Sequence, residues 1–268
     1  DGSIIRSFTN NQDKYSQVMN NDKSTMVGNP VLSNPNDIDN ALSSDNLESL
    51  SPRNGGNRLI WDMRYPGFKS FEGMVLYSSP NVGPKATPGK YNIKMTYNDI
   101  VFQEEFEIVK DPRVKISQAD YQDQLEFLID VRDEVSRANQ QIIDIRSIKN
   151  NMRFILDKTE DNIELQEMIN KYLIDISVIE NNIHMTKNQS RQDPLNFGIR
   201  INNRIAFLLA DSQRGDYPPT DQSKEFFNQV KEELDIEIIN LKALIEKHSQ
   251  KIEDYLKKNK IELISFND

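Results

Sequence analysis

Residues 57–113 read NRLIWDMRYPGFKSFEGMVLYSSPNVGPKATPGKYNIKMTYNDIVFQEEFEIVKDPR, and strand patterns and turn chemistry alternate cleanly only within this stretch. Arg58 to Arg64 has the alternation of a strand, with Leu59, Trp61 and Met63 on one face and Ile60 and Asp62 on the other. Tyr65-Pro66-Gly67 ends it. Met74 to Tyr77 is a second short apolar run, closed by Ser78-Ser79-Pro80 and by a loop whose Gly83-Pro84 and Pro88-Gly89 pairs break regular structure. Tyr91, Ile93, Met95 and Tyr97 then alternate with Asn92, Lys94 and Thr96. Asn98-Asp99 tolerates the left-handed backbone of a tight turn, and Ile100 to Val109 returns with Phe102, Phe106 and Ile108 on a face that only Glu104 breaks. The pattern predicts an antiparallel hairpin with one wet face.

Upstream the chain is sparse. Asp1-Gly2 followed by Ser3 to Phe8 has the look of a turn and the second half of a hairpin, which leads to the expectation that a strand precedes it in the natural gene product. From Thr9 to Asn57 the sequence is rich in Asn, Ser and Asp. Its few apolar anchors, among them Val18, Met26, Leu32, Ile38 and Leu47, suit a long surface insertion with a short helical turn near 38–50. Asp37, Asp39 and Asp45 lack the spacing, the glycine and the terminal glutamate of a calcium loop, so solvated turn carboxylates are the simpler reading.

Downstream of Lys110-Asp111-Pro112-Arg113 the period becomes helical. Ser117 and Asp120 form a plausible N-cap for a helix from about 118 to 156, whose stripe runs through Tyr121, Leu125, Leu128, Val131 or Arg132, Val135, Ala138, Ile142, Ile145, Ile148 or Lys149, and Met152. A second helix from about 161 to 185 carries Leu165, Met168, Tyr172, Ile176, Ile179 and Ile183. A third starts at Asp193-Pro194, carries Leu195, Ile199, Asn202, Ile205, Leu208 and Leu209, and stops before Gly215-Asp216-Tyr217-Pro218-Pro219. Thr220 or Asp221 caps the fourth, with Phe227, Val230, Leu234, Ile238, Leu241, Ile245, His248, Ile252 and Tyr255 on its stripe. Short polar loops between such helices predict an up-and-down bundle.

The chain has 268 residues, a formal charge of −9 and no cysteine. The charge and the want of a clustered Lys/Arg excess argue against a phosphate-neutralising nucleic-acid footprint, and the missing cysteines exclude disulfides and thiolate metal sites. No apolar run approaches the length of a membrane span. The histidines His184 and His248 lie on different helices without a carboxylate or second histidine at metal spacing. Glu104-Glu105 and Glu232-Glu233 are solvated faces unless a pocket surrounds them. Trp61 and Tyr65 could form a sugar-stacking platform, but Trp61 shares its face with Leu59 and Met63 and reads as core. No catalytic, cofactor-binding or metal-binding residue is nominated, and no cofactor is expected.

Asp1-Gly2 with Ile-Ile-Arg-Ser-Phe, then Gly56-Asn57-Arg58 leading into Trp61-Asp62-Met63-Arg64-Tyr65-Pro66, and Pro88-Gly89-Lys90-Tyr91 resemble the flagellar-hook-capping (FlgD-like) immunoglobulin-type module. The order WDMRYP, PGKY, KDPR, a long helix, DPLNF with Asn202-Asn203, and GDYPPTDQS resembles the C-terminal region of bacterial BNR-repeat, sortilin-like β-propeller proteins, often labelled glycosyl hydrolases. It covers about residues 1–8 and 56–245. Residues 9–55 and Gly198, where the family tends to have proline, depart from its pattern, and the Asp-box repeats (S-x-D-x-G-x-T-W) are absent. The resemblance implies an α+β, multidomain chain: an immunoglobulin/fibronectin-like antiparallel β-sandwich over 1–110 with its insertion at 9–56, then a bundle of about four helices over 111–268. It also implies a secreted, periplasmic or cell-surface bacterial protein. Its role would be non-catalytic, bracing the upstream propeller of the same gene product or contacting another envelope protein. The alternatives are a C-terminal clamp of a propeller glycosidase or peptidase-like enzyme and a free-standing interaction module. Neither nucleic acid nor a membrane span figures in any of these.

Overall fold

In a computed structural model, residues 3–8 and 55–261 are described. Their elements are β1 (Gly89–Tyr97), β2 (Ile100–Ile108), α1 (Gln118–Lys158), α2 (Ile163–Ile183), α3 (Pro194–Phe197), α4 (Ile201–Ser212) and α5 (Asp221–Lys258). The expected β-sandwich is not found among them. Helices make up 54% of the described residues and strands 9%, all of it one two-stranded antiparallel sheet, which is too little to form two packed layers. The Asp1-Gly2 turn, residues 9–54 of the insertion, and Asp37, Asp39 and Asp45 lie outside the described residues.

The chain forms two compact units, Asp1–Phe68 with Ser79–Asp133 and Leu208–Glu225, and Lys69–Ser78 with Glu134–Phe207 and Phe226–Asp268. Each draws on residues from both sides of 110. In the first unit, β1 and β2 pair from Gly89↔Ile108 to Tyr97↔Ile100. The two linking residues both have positive φ, Asn98 at 45° and Asp99 at 66°, a tight turn whose twist matches that of the strands. The expected strand Arg58–Arg64 makes only an isolated bridge, Arg64↔Lys85. Tyr65 N–H donates to the Pro84 carbonyl and Ala86 N–H to the Met63 carbonyl, each at 2.8 Å, but Met63 takes φ 58° and cuts the strand short. The approach is close enough that a Cβ on Gly83 would sit 1.9 Å from the Tyr65 carbonyl oxygen. Phe68, Ala86, Tyr121, Leu125, Leu128, Val131 and Leu209 are buried in this unit.

In the second unit the expected strand Met74–Tyr77 is also not in a sheet, because helix side chains satisfy its backbone. Tyr77 N–H donates to Asn203 Oδ1 (2.7 Å), and Asn203 Nδ2 donates back to the Tyr77 carbonyl (3.0 Å). Asn188 Nδ2 donates to the Val75 carbonyl and Arg146 Nη1 to that of Glu72. Lys69 N–H donates to Ser136 Oγ, while Asn139 Nδ2 donates to the Lys69 carbonyl. Since a buried peptide group must be paired by something, side chains on and beside the helices replace a neighbouring strand.

The helical core follows most of the expected apolar stripes, whereas Leu195 and Ile199, expected on the third, are exposed. Ile142, Ile145, Leu165, Ile169, Tyr172, Ile176, Ile183, Ile205, Leu234 and Leu241 are fully buried; each contributes roughly 1.5–3 kcal/mol on leaving water. Helices α2 and α5 run antiparallel, as contacts Asn162–Tyr255, Asp175–His248 and Asn182–Glu237 require. Asn162 caps α2 by accepting from Leu165 N–H, and Thr220 caps α5 by accepting from Ser223 N–H. The expected third helix is split at Gly198, whose φ of 85° leaves the short α3 separate from α4.

Candidate interaction surface

The alternation of β1 and β2 places Tyr91/Phe106, Ile93/Glu104, Met95/Phe102 and Tyr97/Ile100 as opposite pairs on one face. The base of that face is covered. Trp61 packs edge-on to Tyr91 and Phe106 at ring-centroid distances of 6.2 and 6.1 Å, while Tyr91 and Phe106 stack at 5.7 Å. The Trp61 indole N–H donates to the Arg64 carbonyl at 2.9 Å. Towards the turn, Ile93, Met95, Tyr97, Ile100 and Phe102 are 50–65% exposed. The hairpin is therefore wet on both faces, where one dry face was expected. Its other face is polar, with Lys90, Asn92, Lys94, Gln103, Glu105 and Glu107 along it and Lys90 Nζ 3.2 Å from Glu105 Oε1.

The residues weighed in the sequence are scattered. Trp61 is half-buried against the hairpin, and Leu59 and Met63, expected beside it in a core, are exposed. Tyr65 is half-buried, and burial followed by the neighbouring Tyr91 raises its hydroxyl above the ordinary value. Glu233 pairs with Arg204, and Glu105 with Lys90.

His184 terminates α2 and lies against Phe71, its Nδ1 3.2 Å from Asn202 Nδ2, which also donates to Asn139 Oδ1 at 3.0 Å. Burial, reinforced by the nearby Arg146 charge, lowers its pKa to about 4, so it is neutral at pH 7. His248 stacks on Tyr172 at 4.8 Å and sits 3.2 Å from Asp175 Oδ2. Beside His184, Lys149 and Arg146 both reach Glu180. Burial alone would raise Glu180, but the hydrogen bonds and charges of Lys149 and Arg146 outweigh it and hold the carboxyl below its ordinary range. Side chains of this cluster hold the 69–78 segment, Arg146 through the Glu72 carbonyl and Asn139 through that of Lys69. Asn139 was not singled out in the sequence, and Asn202 and Asn203 entered only as a stripe position and as part of the resemblance, so their hydrogen-bonding roles had no sign in the sequence.

A cavity of about 140 Å³ lies in the first unit among Ala86, Pro88, Val109, Tyr121, Leu128 and Asp216, below the roughly 300 Å³ at which small-molecule sites begin. Among the described residues no group of three or more His, Asp or Glu side chains could hold a metal ion, and no helix is long and apolar enough to cross a membrane. An open depression of about 670 Å³ lies on α2 in the second unit, lined by Leu173, Ile174 and Val178 with Asn170, Asn181 and Asn182. The exposed apolar end of the hairpin is a second feature that would gain from a ligand, because a two-stranded ribbon covered only at its base is marginal by itself and a contiguous apolar patch marks an interaction site. No protein-family model, no curated protein and no solved structure matches the chain.

Proposed function

We propose that this chain is a non-catalytic interaction module that joins a larger protein assembly through the apolar face of the β1–β2 hairpin. The observation that carries this reading is the exposure of Ile93, Met95, Tyr97, Ile100 and Phe102 as one group. Covering them removes apolar surface from water at roughly 25 cal/mol per Å² and gives the hairpin the second layer that it lacks. The resemblance set out above makes the partner a β-propeller of the same gene product or another envelope protein, and the compartment extracytoplasmic; that part of the proposal rests on the resemblance alone.

The test is photo-crosslinking in the organism that makes the protein, with p-benzoylphenylalanine in place of Phe102 and, as control, of the exposed Glu232. A discrete adduct from position 102 that is absent from position 232 is expected. Equal, diffuse labelling at both positions would show that the face is merely solvated.

A further inference from the structure

We infer that the surface docking on the hairpin is basic, presenting one lysine or arginine to Glu104 from within an otherwise apolar, β-structured segment. The inference rests on the docking reading above. Glu104 stands opposite Ile93 in the register, between the Met95/Phe102 and Tyr91/Phe106 pairs, so any layer that dehydrates those side chains takes its carboxylate out of water as well. An ionised carboxylate buried without a partner is strongly destabilising. A cation on the incoming surface removes that penalty.

The hairpin's own lysines do not serve. Lys90 and Lys94 occupy the opposite face by alternation, and Lys90 is engaged with Glu105. That opposite face is charge-balanced, with Lys90 and Lys94 against Glu105 and Glu107, so the negative potential of the apolar face is that of Glu104 itself, within a chain of charge −9. That charge also decides between a second copy and a different partner. Two copies mated face to face would enclose a Glu104 from each chain in one dry interface, with like charges opposed. The hairpin therefore disfavours self-association and selects a basic partner, since specificity arises as much from what is repelled as from what is attracted. A sheet packing on the hairpin is the natural counterpart, because two apolar β faces interdigitate at about 10 Å.

The test uses the full chain and fluorescent cyclic hairpin peptides with one valine-rich face, identical except for Lys, Gln or Glu at the centre of that face. The Lys peptide should bind at least about ten-fold more tightly than the Glu peptide. Glu104→Lys should invert the order and Glu104→Gln should level it; the isosteric glutamine keeps the test valid if the lysine variant fails to fold. Equal binding of all three peptides, abolished by Phe102→Ser, would overturn the charge inference and leave the docking reading in place. Absence of binding by all three, or binding indifferent to Phe102→Ser, would overturn both. A concentration-dependent dimer of the chain that Phe102→Ser dissolves would overturn the basic-partner inference in favour of a second copy.

Discussion

The side-chain amide of Asn203 is bonded to both backbone polar groups of Tyr77, accepting from its N–H at 2.7 Å and donating to its carbonyl at 3.0 Å. Asn81 does the same for Phe68 within the first unit, accepting from its N–H at 2.8 Å and donating to its carbonyl at 2.7 Å. An asparagine amide has the donor and acceptor of a peptide group, so it can stand in for a strand neighbour where no strand is present.

Asn203→Leu is expected to lower stability by about 2–3 kcal/mol, since it removes two hydrogen bonds and strands the peptide groups they satisfied. Urea unfolding measures this as a lower midpoint at unchanged slope. Asn203→Asp keeps the acceptor but sets a carboxylate against the Tyr77 carbonyl, and should not rescue.

Removing Glu180 leaves Lys149 buried beside Arg146 with no counter-charge. Glu180→Ala should cost about 3–5 kcal/mol, the usual penalty for breaking a buried pair from one side. Lys149→Met with Glu180→Met should recover much of it, and thermal melts of the single and double variants provide the comparison.

His184 is expected to make the fold acid-sensitive. Its folded-state pKa of about 4 lies below the ordinary 6.5, so the unfolded chain binds the proton more readily. The stability from keeping it neutral is complete above about pH 6.5 and is lost as the pH falls towards 4. At about 1.36 kcal/mol per unit this amounts to roughly 3 kcal/mol. Glu180, held below its ordinary 4.5, adds a loss only at lower pH. His184→Gln should flatten the slope of unfolding free energy between pH 6.5 and 4.5; an unchanged slope would assign the sensitivity to other groups.

Gly83→Ala is expected to destabilise the first unit by at least about 3 kcal/mol. The added methyl would lie 1.9 Å from the Tyr65 carbonyl oxygen and 2.4 Å from that of Pro66, and both are backbone atoms that cannot swing aside. The check is the urea midpoint together with amide exchange at Tyr65 and Ala86.

Asp99→Gly should stabilise the hairpin by about 0.5–1 kcal/mol, because its φ of 66° costs a side-chain-bearing residue and not glycine. Slower exchange of amides in β1 and β2, with little change in the helices, is the expected signature.

By itself the sequence determined the elements whose cause is local. The β1–β2 hairpin was legible because period-2 alternation and the Asn98-Asp99 turn lie within one short stretch, and α1, α2 and α5 because their apolar stripes and caps repeat along a single helix. Glu104 was legible as the one acid in an apolar row, although its row was expected to be dry. Tertiary structure decided what those local signals share. Arg58–Arg64 and Met74–Tyr77 carry strand-like sequence, but a strand becomes part of a sheet only if a second strand supplies its hydrogen bonds. The partners of Tyr77 and Val75 are amides 126 and 113 residues away on or beside helices, and nothing in the alternation of the segment encodes them. The same holds for Lys149, buried where Ile148 competed for the stripe, because Glu180 on α2 gives that ammonium a counter-charge. It holds too for Gly83, which reads as a loop breaker in sequence and proves to be the point where two backbones meet too closely for a Cβ.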